Sequence, residues 1–146
     1  MTLVVEAVGT TIPYFEKLRD GDEAECAIIG LSPHEAISQC IRLSLLNFSA
    51  TVDGEALAFW GYRPITILGN SCQMWLFSTP LVEKHKVLFA RETARHLAQA
   101  LHHWGEITVL VDLRYERAVK WLRWLGFLPK GSNGPFVVMA INRGDF

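Results

Sequence analysis

Two hydrophobic periods run along this chain and divide it into strands and helices. Val4 to Val8 alternates as a strand does. Ile12 to Leu18 has the spacing of a short helix, and Asp20-Gly21-Asp22-Glu23 follows as an acidic turn. Ser32-Pro33-His34-Glu35 is a helix start: Ser32 caps, Pro33 suits the first turn, and Glu35 sits three residues after the cap. That helix runs to about Leu43, with Ala36, Cys40 and Leu43 on one face. Asn47 to Val52 and Glu55 to Tyr62 flank Asp53-Gly54, a two-residue hairpin signal. Ile65 to Gly69 either extends the second strand or forms a loop, and Cys72 to Ser78 is a further strand.

Thr79-Pro80 reads as the cap and first residue of a long helix that ends near Trp104-Gly105. Val87, Ala90, Ala94, Leu97, Leu101 and Trp104 recur at helical spacing and are expected to face the core. Ile107 to Val111 is an apolar run of the kind found in buried strands. A helix from Tyr115 places Ala118, Trp121, Leu122 and Leu125 inward and stops at Gly126. Arg114, Arg117, Lys120 and Arg123 drift around its other side, and Trp124 is offset from the buried stripe, which suits a protein contact. Gly131-Ser132-Asn133-Gly134 is a turn before the last strand, Pro135 to Ile141. The order is β-α-α-β-β-β-α-β-α-β-β. Its strand–helix–strand unit implies a right-handed crossover and a mixed central sheet, an α/β (α+β) architecture.

Composition adds limits. The 146 residues suit one domain, 1–146, and half of them are apolar, enough for a core. No apolar run is long enough to span a bilayer. The start, Met1 to Glu6, lacks a basic segment and reads as a first strand, not a secretion signal. Cys26, Cys40 and Cys72 lack metal or disulfide spacing and read as free thiols of a reducing compartment. His102-His103 are adjacent and point to different helix faces. His96 and His103 share a face without a third ligand, so no metal site is expected. Residues 1–83 hold ten acids and four bases, a net of −6, whereas residues 84–130 hold nine bases and four acids, a net of +5. Such asymmetry marks either an anion site or two halves that neutralise each other. No groove-reading motif accompanies the basic series of the last helix, so nucleic-acid binding is not expected.

The run Lys120-Trp121-Leu122-Arg123-Trp124-Leu125-Gly126-Phe127, with an apolar strand on either side, resembles the closing part of acetyltransferases of the GNAT superfamily. The element order extends that resemblance over nearly the whole chain. Trp75 to His85, Phe89, Arg91, Val111-Asp112, the run above, Pro135-Phe136 and Met139 resemble a phage subgroup: small GNAT-like proteins of short-tailed phages, including the T7-type internal virion protein A group.

The resemblance implies specific positions. Acetyl-CoA would lie along backbone groups of splayed strands, Cys72 to Ser78 (Leu76, Phe77 and Ser78 above all) and Ile107 to Val111. Its diphosphate would sit at the start of the long helix, where orphan N–H groups favour an anion. The family places a Gly-rich turn there. This chain has Glu83-Lys84-His85-Lys86-Val87-Leu88-Phe89-Ala90-Arg91, without glycine. Val87, Leu88 and Phe89 are expected to crowd that space. Lys84, His85, Lys86 and Arg91 either attract an anion or are solvated helix residues. Counting back from Gly126, the family's Asn position holds Tyr115 and its general-acid Tyr position holds Leu122, which has no proton to give. Tyr115 therefore remains as a candidate acid and cofactor contact, or as a capping aromatic. Glu55, His85, Asp112 and Glu116 are candidate bases, with helix capping the expected role of Asp112. Cys72 lacks a base partner.

These readings lead to a GNAT-fold phage protein with a degenerate acetyl-CoA site, acting in the host cytoplasm or the virion as an assembly or interaction protein that contacts a phage or host protein. An active acetyl-CoA-dependent N-acetyltransferase is the alternative, and an inhibitor of a host defence protein a further one.

Overall fold

The computed structural model describes residues 3–8, 12–65 and 69–145, with Asp145 described by its backbone alone. Seven strands form one mixed sheet in the order β1-β2-β3-β4-β5-β7-β6. They are β1 (Leu3–Ala7), β2 (Leu46–Val52), β3 (Glu55–Pro64), β4 (Ser71–Ser78), β5 (Glu106–Val111), β6 (Leu128–Asn133) and β7 (Phe136–Asn142). The helices are α1 (Asp20–Ile29), α2 (Pro33–Leu43), α3 (Lys86–His103) and α4 (Glu116–Leu125). The chain forms two compact units. The first comprises the described residues up to Arg63 with Trp75–Val87; the second comprises those of Pro64–Met74 and of 88–145. Among the described residues, no helix is long and apolar enough to cross a membrane.

In the first unit, β1 pairs antiparallel with β2 and β2 antiparallel with β3. Asp53 (φ 50°) and Gly54 (φ 84°) make the left-handed turn that the hairpin signal requires. Ala56 to Tyr62 of β3 are all buried, as expected of a strand covered on both faces. The helix expected over Ile12 to Leu18 does not form. Those residues are irregular, with Phe15 and Leu18 packed among Cys26, Ile37, Phe59 and Phe77. The helix starts instead at the acidic segment, where Asp20, Asp22 and Glu23 lie in the first turn of α1 and favour its positive end. Glu23 fixes the entry, its carboxylate accepting the Leu18 N–H at 3.0 Å. In α2 the capping box is present: Ser32 Oγ accepts the Glu35 N–H, and Glu35 accepts the Ser32 N–H. The inward face of α2 carries Ala36 and Ile37, whereas Leu43, expected on one face with Ala36 and Cys40, is 47% exposed. β3 ends at Pro64, and Thr66 to Leu68 of the Ile65 to Gly69 segment, expected as an extension or a loop, fall outside the described residues.

In the second unit, β5 pairs parallel to β4 from Ser71↔Glu106 to Gln73↔Thr108, and antiparallel to β7 along its full length. The buried residues of α3 are Phe89, Thr93, Leu97, Ala100 and Leu101; of the expected stripe Leu97, Leu101 and Trp104 are buried and Ala90 and Ala94 half-buried, whereas Val87 is 66% exposed. Burying Thr93 is possible because its hydroxyl donates to the Phe89 carbonyl at 2.6 Å, so no polar group is stranded. Arg143 closes the far end of α3, its guanidinium donating to the Leu101 carbonyl at 2.7 Å. Helix α4 ends as expected: Gly126 (φ 109°) donates to Arg123, and Phe127 to Leu122. Gly131, Ser132 and Asn133, expected in a turn, belong to β6. A bulge between Pro129 and Gly131 carries the strand on to a tight turn at Gly134-Pro135.

Candidate functional site

The connection from β4 to α3 is built without glycine. Thr79 does not cap the long helix as expected. It is buried, and a buried hydroxyl needs an acceptor, so it donates to the Ala56 carbonyl at 2.8 Å. Its N–H donates to the Leu57 carbonyl. With no cap, Pro80–Lys84 winds into a 3-10 helix closed by the His85 N–H on the Val82 carbonyl, and α3 begins only at Lys86.

Two carboxylates serve this connection. Asp22 accepts both the Ser78 N–H (2.8 Å) and the Ser78 hydroxyl (3.2 Å), while the Ser78 carbonyl accepts the Arg19 N–H. Burial pushes the Asp22 carboxyl up to about 6, against the lowering effects of the Ser78 hydrogen bonds and Arg19. Glu83 lies between two cations, 3.0 Å from Lys86 Nζ and 3.6 Å from Arg19 Nε. A negative charge thus already stands one turn before α3, where the dipole favours one. Asp22, Glu83 and Arg19 were not singled out from sequence. The usable signal was the acidic stretch Asp20 to Glu23, once read as a first helical turn instead of a loop.

The first unit contains Leu76, Phe77 and Ser78 at the end of β4, then Lys84, His85 and Lys86. Phe77 and Ser78 are buried and Leu76 half-buried; Lys84 and Lys86 are exposed. Glu55, the candidate base, is exposed at the first position of β3, opposite Val52 beside the hairpin turn. Arg91, on the exposed side of α3, and Tyr115 belong to the second unit. Val87, Leu88 and Phe89 were expected to crowd the space at the start of the long helix, and Leu88 is half-buried. Val87 points to solvent, and Phe89 turns toward α4, its ring stacked on Trp121 with centroids 6.0 Å apart.

Tyr115 is the N-cap residue of α4 and makes no side-chain cap. Asp112, expected to cap α4, instead holds the preceding turn. Its Oδ1 accepts the Arg114 N–H at 3.0 Å, and its carboxylate receives the Arg114 guanidinium at 2.6 Å. Hydrogen bonds from Arg114 hold the carboxyl below its usual range. So engaged, Asp112 is a poor base. Leu122 is buried, as expected for the stripe of α4. Cys72 is buried in β4, and burial pushes its thiol up to about 12, which disfavours a nucleophilic thiolate. Cys26 and Cys40 are likewise raised to about 11 by burial. His102 and His103 are exposed, and His96 is half-buried, its pKa lowered chiefly by burial.

No protein-family profile matches the chain, and no curated protein matches its sequence. Solved structures do resemble its fold. A putative acetyltransferase from Exiguobacterium sp. 255-15 aligns over 100% of this chain and 97% of its own, with a TM-score of 0.66 at 16% identity. AAC(6')-Ib, in complex with ribostamycin and coenzyme A, aligns over 71% of this chain and 67% of its own, with a TM-score of 0.59 at 16% identity. The GNAT domain of S. lividans PAT aligns at a TM-score of 0.53 and 16% identity; the match covers 66% of this chain and only 60% of that one. The chain therefore has the GNAT acetyltransferase fold.

Proposed function

We propose that this GNAT-fold protein does not transfer acetyl groups and acts through protein contacts. The observation that carries the reading is the Asp22–Ser78 and Glu83–Lys86 pair of contacts at the β4–α3 connection. A diphosphate bound there needs backbone donors and uncompensated positive charge. The Ser78 N–H is taken by Asp22, Lys86 by Glu83, and two carboxylates would repel a dianion. These residues do not fit the diphosphate. Leu122 also supplies no proton where the resembled enzymes keep a tyrosine. The resemblance of Trp75 to His85 and of Lys120 to Phe127 supports a place among small phage proteins, as a virion-associated or assembly factor in the host cytoplasm or the particle. Calorimetry with acetyl-CoA tests the central claim. No heat of micromolar binding is expected; saturable binding abolished by Lys84→Glu or Arg91→Glu would overturn it. Mass spectrometry of purified particles and assembly intermediates tests the assembly role, and absence from both removes it.

A second reading, an acetyl-CoA-dependent N-acetyltransferase, is favoured by two observations. The neighbouring folds are acetyltransferases, one of them bound to coenzyme A. The parallel β4–β5 ladder spans only Ser71 to Gln73 of an eight-residue strand, which leaves the rest of β4 outside that pairing. Release of free coenzyme A in the presence of a primary amine or a host lysate, lost on Tyr115→Phe, would establish it. Inhibition of a host defence protein is a role of the same interaction type, and a specific host partner in a pull-down is its test.

A further inference from the structure

We propose that the solvent face of α4, carrying Arg123, Lys120, Trp124 and Arg117 in that order around the helix, docks an acidic segment of a partner protein. This goes beyond the reading above, since a catalytically active chain could carry the same face. Helix α4 buries Leu122 and Leu125 and half-buries Ala118 and Trp121. At 3.6 residues per turn the opposite arc receives Arg117, Lys120, Arg123 and Trp124, with Trp124 lying between Arg117 and Lys120 in helical projection. All four are exposed. Trp124 is 63% exposed, and Leu128, just past the Gly126 turn, is 60% exposed. Two large apolar side chains thus stand in water at one end of a cationic helix, the pairing of anchor and rim that protein interfaces use.

The charges of this region are not all equivalent. Arg114 is held by Asp112 and Lys130 by Glu106. Among the described residues none is ion-paired with Lys120 or Arg123, and Glu116 at the helix start is the one acid of α4. The positive charge of Lys120 and Arg123 therefore lies beside Trp124, and an acidic segment with an aliphatic or aromatic residue complements the pair. A nucleic acid fits less well. Nucleic-acid affinity comes chiefly from neutralising phosphates, this face offers few cations for it, and the whole chain carries a net −1. Pairing of a second copy along the adjacent edge strand is disfavoured, because Pro129 and the bulge interrupt β6.

Selection of short random peptides by surface display against the full chain, followed by affinity measurement, tests the proposal. The variants are Trp124→Ser and Arg123→Glu, exposed positions whose thermal melts serve as folding controls; Lys120→Gln is the milder substitute if either melts early. Enriched peptides should combine Asp or Glu with Leu, Phe or Trp. Their affinity should fall about tenfold in each variant and weaken with added salt. Three results would each overturn the proposal: no peptide whose binding depends on Trp124; a single-stranded oligonucleotide of equal charge that binds more tightly with the same dependence; or a dimer in analytical ultracentrifugation that Trp124→Ser dissolves, which would assign the face to a second copy.

Discussion

The start of α3 and the outer face of α4 use the same residue types in opposite settings. At the start of α3, Lys86 and Arg19 flank Glu83, and the neighbouring Ser78 N–H is met by Asp22. On α4, Lys120 and Arg123 stand beside an exposed tryptophan. A basic run thus carries no meaning by itself. The carboxylates brought to it by folding decide whether its charge is already answered or still available to a ligand.

Four substitutions probe that contrast. Phe89→Ala should have the largest effect, because it empties the contact between α3 and α4 that turns Trp121 inward and leaves Trp124 outside. A loss of about 3–5 kcal/mol in urea unfolding is expected; a loss within error would mean that the orientation of α4 does not depend on this stack. Asp22→Asn comes next. Because burial raises the folded pKa to about 6 from 3.8, the folded state holds an extra proton between those values. Stability should therefore fall as pH rises from about 4 to 6 and stay low above it. The amide keeps an acceptor for Ser78 without the buried charge, so the variant should be more stable at pH 7 by about 1–3 kcal/mol and lose that pH slope. A melting profile in which the variant is less stable at neutral pH would show that the charged clasp is favourable.

Gly126→Ala should destabilise by about 1–2 kcal/mol. Its φ of +109° disfavours any side chain, and an added Cβ would meet Ile141 Cδ1 at 3.0 Å. Chemical denaturation measures it, and a neutral result would mean the end of α4 can reshape. Glu83→Gln should change stability by less than about 1 kcal/mol, since both its partners are partly exposed. Its informative readout is binding. With Lys86 and Arg19 released, inorganic pyrophosphate should bind more tightly than to the unmodified chain. If calorimetry shows no gain, Glu83 does not occupy an anion position, and the proposed contrast with α4 fails.

Much of the fold was legible in the residue order because its signals are local. Ser32 and Glu35 cap α2 within one turn, Asp53-Gly54 shapes its own hairpin, and Gly126 ends α4 wherever that helix packs. The misplaced elements depended on partners far along the chain. Ile12 to Leu18 has helical spacing but spends its apolar residues on the core cluster, while Glu23 starts the helix beyond it. Thr79 looks like a cap but gives its hydroxyl to Ala56, 23 residues earlier. The candidate site followed the same division. Its residue types around Lys84 to Arg91 were visible; Asp22 and Glu83 as their counter-charges were not.

The order of strands and helices, the capping signals and the absence of a glycine turn before α3 follow from the sequence alone, since each is set by neighbours within a few bonds. Which residues of α3 besides Leu97, Leu101 and Trp104 are buried, which carboxylate meets Ser78, and which ring Trp121 stacks on were decided only in the folded chain. Burial and charge pairing depend on groups that lie far apart in the sequence, and folding alone brings them within reach of each other.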